Sequence, residues 1–161
     1  MDLPAPPVAT NRMSWLLRFM SLYPPFIGAG VRVTRASSDL LEVDVEMKLR
    51  FWNRNFFGTH FGGSLYSMID PFYALMVAGS LGRDFVVWDK AAAIRFRRPG
   101  RGTVRAKFRL TPDDIEAIRF KAQRDGKVEP VFQVLVRDAE GQVVAEAEKT
   151  LHVRWTPAGP G

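Results

Sequence analysis

The clearest signal along the chain is an unbroken alternation from Leu41 to Arg50. Leu41, Val43, Val45, Met47 and Leu49 interleave with Glu42, Asp44, Glu46, Lys48 and Arg50. Successive side chains of a strand point to opposite faces, so this period of two predicts a strand with one buried and one wet face. Gly30 to Thr34 reads as its hairpin partner, with Ala36 to Asp39 as the turn. Farther on, Ala92 to Arg97 alternates again, and Pro99-Gly100-Arg101-Gly102 is a turn cluster. Val104, Ala106, Phe108 and Leu110 then oppose Arg105, Lys107 and Arg109. Val131 to Arg137 and Val143 to Trp155 form a last pair of strands across the Asp138–Gly141 turn.

Three segments carry a different pattern. Thr111-Pro112-Asp113-Asp114 opens a short helix with a cap candidate, a proline at the first position and acids in the first turn. That helix runs to about Arg124 and stops near Gly126. Gly63 to Leu81 is apolar on nearly every side and predicts one long helix buried on nearly every side. Ser14 to Tyr23 has apolar residues around most of its circumference, Arg18 excepted. It predicts a short helix over 14–23 that packs on the protein and is stopped by Pro24-Pro25. Its polar face is too thin for a membrane-surface helix.

Residues 1–11 read as a disordered arm, 12–156 as one domain and 157–161 as a frayed tail. Regular hairpin spacing argues for an antiparallel sheet rather than βαβ units. The predicted class is α+β, a curved antiparallel sheet wrapped around one long central helix.

Composition narrows the function classes. The 161 residues suffice for one domain with a core. A hydrophobic share of 47% with 25% charged residues is ordinary for a soluble protein. The net charge of +6 is less ordinary; it fits nucleic acid, an anionic membrane or a nucleotide-bearing small molecule, and does not choose among them. Without cysteine there is no disulfide, thiolate nucleophile or Cys-based zinc site, and with only His60 and His152 no metal centre is expected. The amino terminus does not read as a secretory signal. Asp70 and Pro71 interrupt the longest apolar run, Leu65 to Leu81, so no membrane insertion is expected and the protein reads as cytoplasmic.

The chemistry concentrates between Asn55 and Asp70. A polar loop with Gly58, Gly62 and Gly63 runs into the apolar helix, and Asp70 follows Gly63 by seven residues, nearly two turns. The glycines permit close backbone approach, and free N–H groups at a helix start favour developing negative charge, such as that on a thioester carbonyl oxygen under attack. Asp70, in so apolar a segment, is poorly solvated and a candidate base or nucleophile. A plainer reading stands beside this one. Asp70-Pro71 is also a helix-start dipeptide, with aspartate as cap and proline first, and the glycines make an ordinary tight turn. The residues alone leave both open.

This loop and helix resemble the hotdog-fold acyl-CoA thioesterases, in particular the phenylacetate-pathway type. That pattern is an Asn, a Gly, His-Gly-Gly, and an acid seven residues after the second Gly. Asn55, Gly58, Gly62, Gly63 and Asp70 fall in register, and the strand order fits from about Gly30 to Trp155. Trp88-Asp89-Lys90, in the strand after the helix, is similar to an uncharacterised branch of the superfamily. Phe61 stands where the pattern has histidine, and His60 is shifted by one. The resemblance implies hydrolysis of an acyl-CoA or acyl carrier protein thioester. Asp70 would be general base or nucleophile, the Gly63 N–H an oxyanion donor, and Asn55 would orient water or carbonyl. Gly62, Phe61 and His60 would line the substrate site, and coenzyme A would enter as part of the substrate, with no separate cofactor. Site residues come from opposite protomers in this fold, so a homodimer or a dimer of dimers is implied, with sheets joined edge to edge. A non-catalytic acyl-thioester-binding or accessory protein is the alternative. A dehydratase or hydratase, needing an inward His60 paired with an acid, is the third.

Arg95, Arg97, Arg98, Arg101, Arg105, Lys107 and Arg109 line one side of the hairpin around Pro99–Gly102. The plain reading is a solvated strand face. The sharper one has Arg97, Arg98 and Arg101 hold the phosphates of coenzyme A, and an acidic carrier protein suits the same surface. Nucleic acid is not expected, because Phe96 and Phe108 fall on the inward face, away from the arginines. Asp89 and Lys90 read as a local ion pair or as part of a pocket mouth.

Overall fold

Six strands follow one another across a single antiparallel sheet in a computed structural model that describes residues 15–157. They are β1 (Val31–Ala36), β2 (Glu42–Lys48), β3 (Phe85–Phe96), β4 (Thr103–Arg109), β6 (Val131–Arg137) and β7 (Val143–Trp155), in the order β1-β2-β4-β6-β7-β3. A seventh, β5 (Lys127–Val128), pairs with β7. The alternation at Leu41–Arg50 becomes β2, with Val43, Val45 and Met47 buried. Its partners are β1 on one side and β4 on the other. The predicted arm and residues 158–161 of the tail lie outside the described residues.

The inner face of the sheet covers an apolar helical segment. Met68, Ile69, Phe72, Met76 and Val77 are fully enclosed, and the Phe72 ring lies 4.9 Å from Phe108 and 5.7 Å from Phe26. Each such side chain contributes about 1.5–3 kcal/mol by leaving water, which makes this segment the centre of the core. Among the described residues no helix is long and apolar enough to cross a membrane.

The segment is two helices rather than one. α3 (Gly62–Ser67) ends at a turn over residues 68–71, and α4 (Phe72–Leu81) begins after it. Pro71 has no N–H to donate to the Ser67 carbonyl four residues back, and its ring would clash with that carbonyl. The long central helix expected here is therefore present over residues 62–81, with one break at the residue that cannot extend its ladder.

A proline expectation nearer the amino terminus is corrected. Pro24-Pro25 does not simply end the amino-terminal helix. After α1 (residues 15–19) and a 3₁₀ turn at Met20–Leu22, the two prolines open α2 (Pro24–Ala29). At the first helical positions the missing N–H has no partner to lose, and the fixed φ is already helical. Leu17 anchors α1 in the core.

The remaining helix follows its sequence closely. α5 (Pro112–Asp125) starts with a capping box: Asp114 N–H donates to Thr111 Oγ1 at 3.1 Å, and Thr111 N–H donates to Asp114 Oδ2 at 2.8 Å. It ends at Gly126 with φ of 79°, a left-handed position that favours glycine.

Candidate active site

The loop before α3 is held from several directions by its own side chains. Asn53 is buried; its amide donates to Ala29 O at 3.0 Å and Lys48 O at 2.9 Å, while Arg50 N–H donates to its oxygen. Asn55 works the same way farther along. Its Oδ1 accepts from Phe57 and Thr59 N–H at 3.0 and 3.1 Å, and its amide donates to Thr59 Oγ1 at 3.0 Å. The Asn55 side chain is thus spent on the loop that it shapes.

His60 pins this loop to the Pro99–Gly102 turn. Its backbone N–H donates to Gly100 O at 3.0 Å, and its Nε2 lies 3.0 Å from Gly102 O. Only 3% of the residue is exposed, and Nδ1 has no partner among the described residues. Burial holds the imidazole below its ordinary 6.5, despite the opposing pull of the Gly102 carbonyl. The Phe61 ring lies over Gly63, where a Cβ would stand 2.4 Å from Phe61 Cε1. The N–H groups of Gly62, Gly63 and Ser64 have no acceptor among the described residues, as expected for the first turn of a helix.

Beside this loop runs a groove of about 640 Å³. Asn55, Thr59, His60 and Gly62 line one side of it; Phe96, Arg97, Arg98 and Arg101 line the other. Phe96 was expected on the inward face, yet it is 55% exposed. β3 is an edge strand, and at its far end the Phe96 ring meets Gly62 rather than the core. Arg97 pairs with Glu146, whereas Arg98 and Arg101 have no carboxylate partner among the described residues.

Asp70 occupies the turn between α3 and α4. It does not cap α4: the cap position is Pro71, and no side chain caps the helix. Nor does it stand alone among apolar groups. Its Oδ1 accepts from Lys149 Nζ at 2.8 Å, and 46% of its side chain is open. Lys149 belongs to β7, where Ala145, Ala147, Leu151 and Val153 share its inward face, and its side chain is fully enclosed. The same ammonium pairs with Asp89 Oδ1 at 2.9 Å and donates to the Tyr66 hydroxyl at 3.3 Å.

Each titration here has a physical cause. Burial pushes the Asp89 carboxyl up, and the hydrogen bond from Lys149 partly opposes it. Burial pulls Lys149 down, but hydrogen bonds to Asp70 and Asp89 outweigh it, and the ammonium is held above its ordinary value. Burial also raises the Tyr66 hydroxyl, helped by the Asp70 carboxylate that it faces.

A family model described as a domain of unknown function, DUF4442, matches residues 10–153. The chain belongs to that family. No curated protein matches the sequence. Among solved structures, the Pseudomonas aeruginosa protein PA5026, described as of unknown function and a probable thioesterase, superposes with a TM-score of 0.78. It is 24% identical over 96% of this chain and 98% of its own. The Haemophilus influenzae thioesterase HI1161 gives 0.64 at 15% identity, over 90% of this chain and 92% of its own. The E. coli PaaI protein, from the phenylacetic acid degradation operon, gives 0.61 at 17% identity, over 93% and 97%. The fold of this DUF4442 protein is the hotdog fold, a sheet around a central helical segment.

Within one DUF4442 chain, helical spacing sets the loop and the acid apart. Gly63 and Asp70 are seven positions apart on a segment that rises about 1.5 Å per residue, so about 10 Å separate them. Asp89 and Lys90 also part company, as neighbours on a strand must. Asp89 turns inward to Lys149, and Lys90 turns to Glu129 at 2.6 Å, so the local ion pair does not form. Sequence reasoning passed over Lys149. The available signal was a lysine in the inward register of a strand whose inward face is otherwise apolar.

Proposed function

We propose that this protein hydrolyses an acyl-CoA or acyl carrier protein thioester at a site shared by two copies of the chain. The observation that carries this reading is Asp70, a half-open carboxylate fixed on an enclosed ammonium where the central helix of a hotdog fold breaks. The names of PA5026 and HI1161 agree with it.

In this reading Asp70 accepts a proton from water as the water oxygen bonds to the thioester carbonyl carbon. The carbonyl electron pair moves onto oxygen, where the unpartnered Gly63 N–H donates to it. Collapse reforms the carbonyl and breaks the C–S bond; the departing thiolate takes the proton from Asp70, which is left as it began. No metal or separate cofactor enters the scheme. Asn55 acts by shaping the loop rather than by touching the water.

Donor and base must both lie near the reacting carbonyl, about 3 Å away, which Gly63 and Asp70 of one chain cannot do at their separation. Gly63 of one copy would therefore face Asp70 of the other. Two features support a homodimer: β3 is a twelve-residue edge strand, and Phe51, Trp52, Phe56 and Phe57 are exposed together on the loop. Two such dimers could pair further. Arg98 and Arg101 would hold the phosphates of a coenzyme A or phosphopantetheine group, and a cytoplasmic location suits that substrate pool.

A second reading, an acyl-thioester-binding protein without turnover, is favoured by Phe61 in the place of the motif histidine. Hydrolysis of short, medium, long and aromatic acyl-CoAs by wild type and Asp70→Asn separates the two. Turnover that is lost in the variant is expected. Thermal stabilisation by acyl-CoA without turnover would leave the binding reading, and full activity in Asp70→Asn would remove Asp70 from the mechanism.

A further inference from the structure

Among the described residues, Lys149 is the one lysine or arginine enclosed on all sides. An ammonium in this position has lost its hydration among Ala145, Ala147, Leu151 and Val153, and an apolar residue of similar volume would serve the core at least as well. Its presence is therefore better explained by what it holds than by packing.

It holds two carboxylates that come from different elements. Asp89, on β3, is the more enclosed of the two, and Asp70, in the α3–α4 turn, is the more open. Lys149 takes Oδ1 of Asp70, and the Tyr66 hydroxyl faces the same carboxylate, 46% of which stays open to a further partner. Tyr66 stands one helical turn before Asp70, with its hydroxyl on the same ammonium and its ring 5.3 Å from Nζ. The Asp70 backbone is fixed as well, since its N–H donates to Tyr66 O at 3.0 Å. A carboxylate at the last ladder bond before Pro71 is thus aimed by a side chain from the sheet.

Building on the hydrolytic role of Asp70, we propose that Lys149 is the positioning residue of the site. It occupies one oxygen of Asp70 and leaves the other directed at the reacting water, while Asp89 anchors Lys149 from behind and Tyr66 closes one side. Lys149 does not touch the substrate. Its contribution is to keep the base in one orientation, and misplacement of a reacting group by about 1 Å can cost on the order of 100-fold in rate.

The test uses two variants, because Lys149→Met alone strands Asp89 and can fail to fold. Lys149→Met combined with Asp89→Asn removes the ammonium and the buried charge together. In that double variant kcat should fall by roughly 10- to 100-fold with KM unchanged, the signature of a lost transition-state arrangement. Adding the same pair of changes to Asp70→Asn should cost nothing further. Asp89→Asn alone should lower kcat less.

A readout independent of turnover accompanies the kinetics: the carbon-13 resonance of the Asp70 carboxylate, assigned by its loss in Asp70→Asn. It should be a single sharp line in the wild type and should broaden or split without Lys149. If wild type cleaves thioesters and needs Asp70, but the double variant turns over normally, the positioning role is wrong while the hydrolytic reading stands. If wild type cleaves none, the hydrolytic reading is wrong and the resonance decides. A line unchanged by the loss of Lys149 overturns the positioning role; a broadened one retains it for a carboxylate that binds rather than reacts.

Discussion

The Lys149 cluster and the basic strip of the Pro99–Gly102 hairpin are built from the same chemistry in opposite settings. In the strip, Arg95 and Arg97 share Glu146, Arg105 lies 3.8 Å from Glu46, and Arg109 meets Asp44, all with water close by. In the cluster, one enclosed ammonium serves two carboxylates. Solvent and salt weaken the first kind, whose pairs are typically worth about 0–1 kcal/mol. Enclosure of the ammonium makes the second kind costlier to break, most of all for Asp89, the less solvated of the two carboxylates. Seven basic residues along one hairpin drew attention in the sequence, and a single lysine on the apolar face of a strand did not. Burial reverses that order of importance, and within the strip Arg98, Arg101 and Lys107 have no carboxylate partner among the described residues.

The largest expected effect sets the two regions furthest apart. Lys149→Ala should lower unfolding stability by about 3–5 kcal/mol in denaturant titration, as for other broken buried ion pairs. A loss under 1 kcal/mol would mean that the cluster is hydrated and no different from the strip. Next, Arg98→Ala with Arg101→Ala should raise KM for acyl-CoA about tenfold or more at unchanged kcat, since a charge-assisted hydrogen bond contributes about 1.5–3 kcal/mol. Arg95→Ala should leave KM alone; equal effects from the two would make the strip one undifferentiated charged surface.

A third test uses His60, buried like Lys149 but without an opposite charge. Its folded pKa is depressed below 6.5, so the unfolded chain takes up the proton first as pH falls. Its contribution to stability is therefore present above pH 6.5 and lost as pH drops through the lower folded value. Midpoints in urea should fall between pH 7.5 and 5.5, and His60→Gln, which keeps a donor for Gly102 O, should flatten that dependence. An identical slope in the variant would assign it to other groups. The smallest effect belongs to the exposed surface. Arg35→Ala, which breaks the pair with Glu42, should change stability by no more than about 1 kcal/mol.

Much of the fold could be read directly. β2, β4 and β6 follow from alternation, and α5 from Thr111-Pro112-Asp113-Asp114 and Gly126, because these signals act within a few residues of where they are written. The departures occurred where a local rule met a longer-range one. The apolar run from Gly63 to Leu81 outweighed Pro71 in the reading, but apolarity fixes only burial and cannot supply the missing N–H. Phe96 had the right phase for the core and lies on an edge strand that runs past it. The loop and Asp70 were found as candidates, yet their roles were not legible. Asn55 turned to its own loop, and Asp70 was neither a solitary base nor a cap.

The sequence by itself determined the strands, the capped helix, the glycine loop and the presence of an acid inside an apolar segment. Backbone preferences and hydrophobic period are properties of neighbouring residues, so they survive without knowledge of the rest of the chain. Only the tertiary structure decided that Lys149 would meet Asp70, 79 positions away, and Asp89 from a third element. Charge pairing and desolvation depend on which distant groups are packed together and how little water remains between them, and no local pattern encodes either.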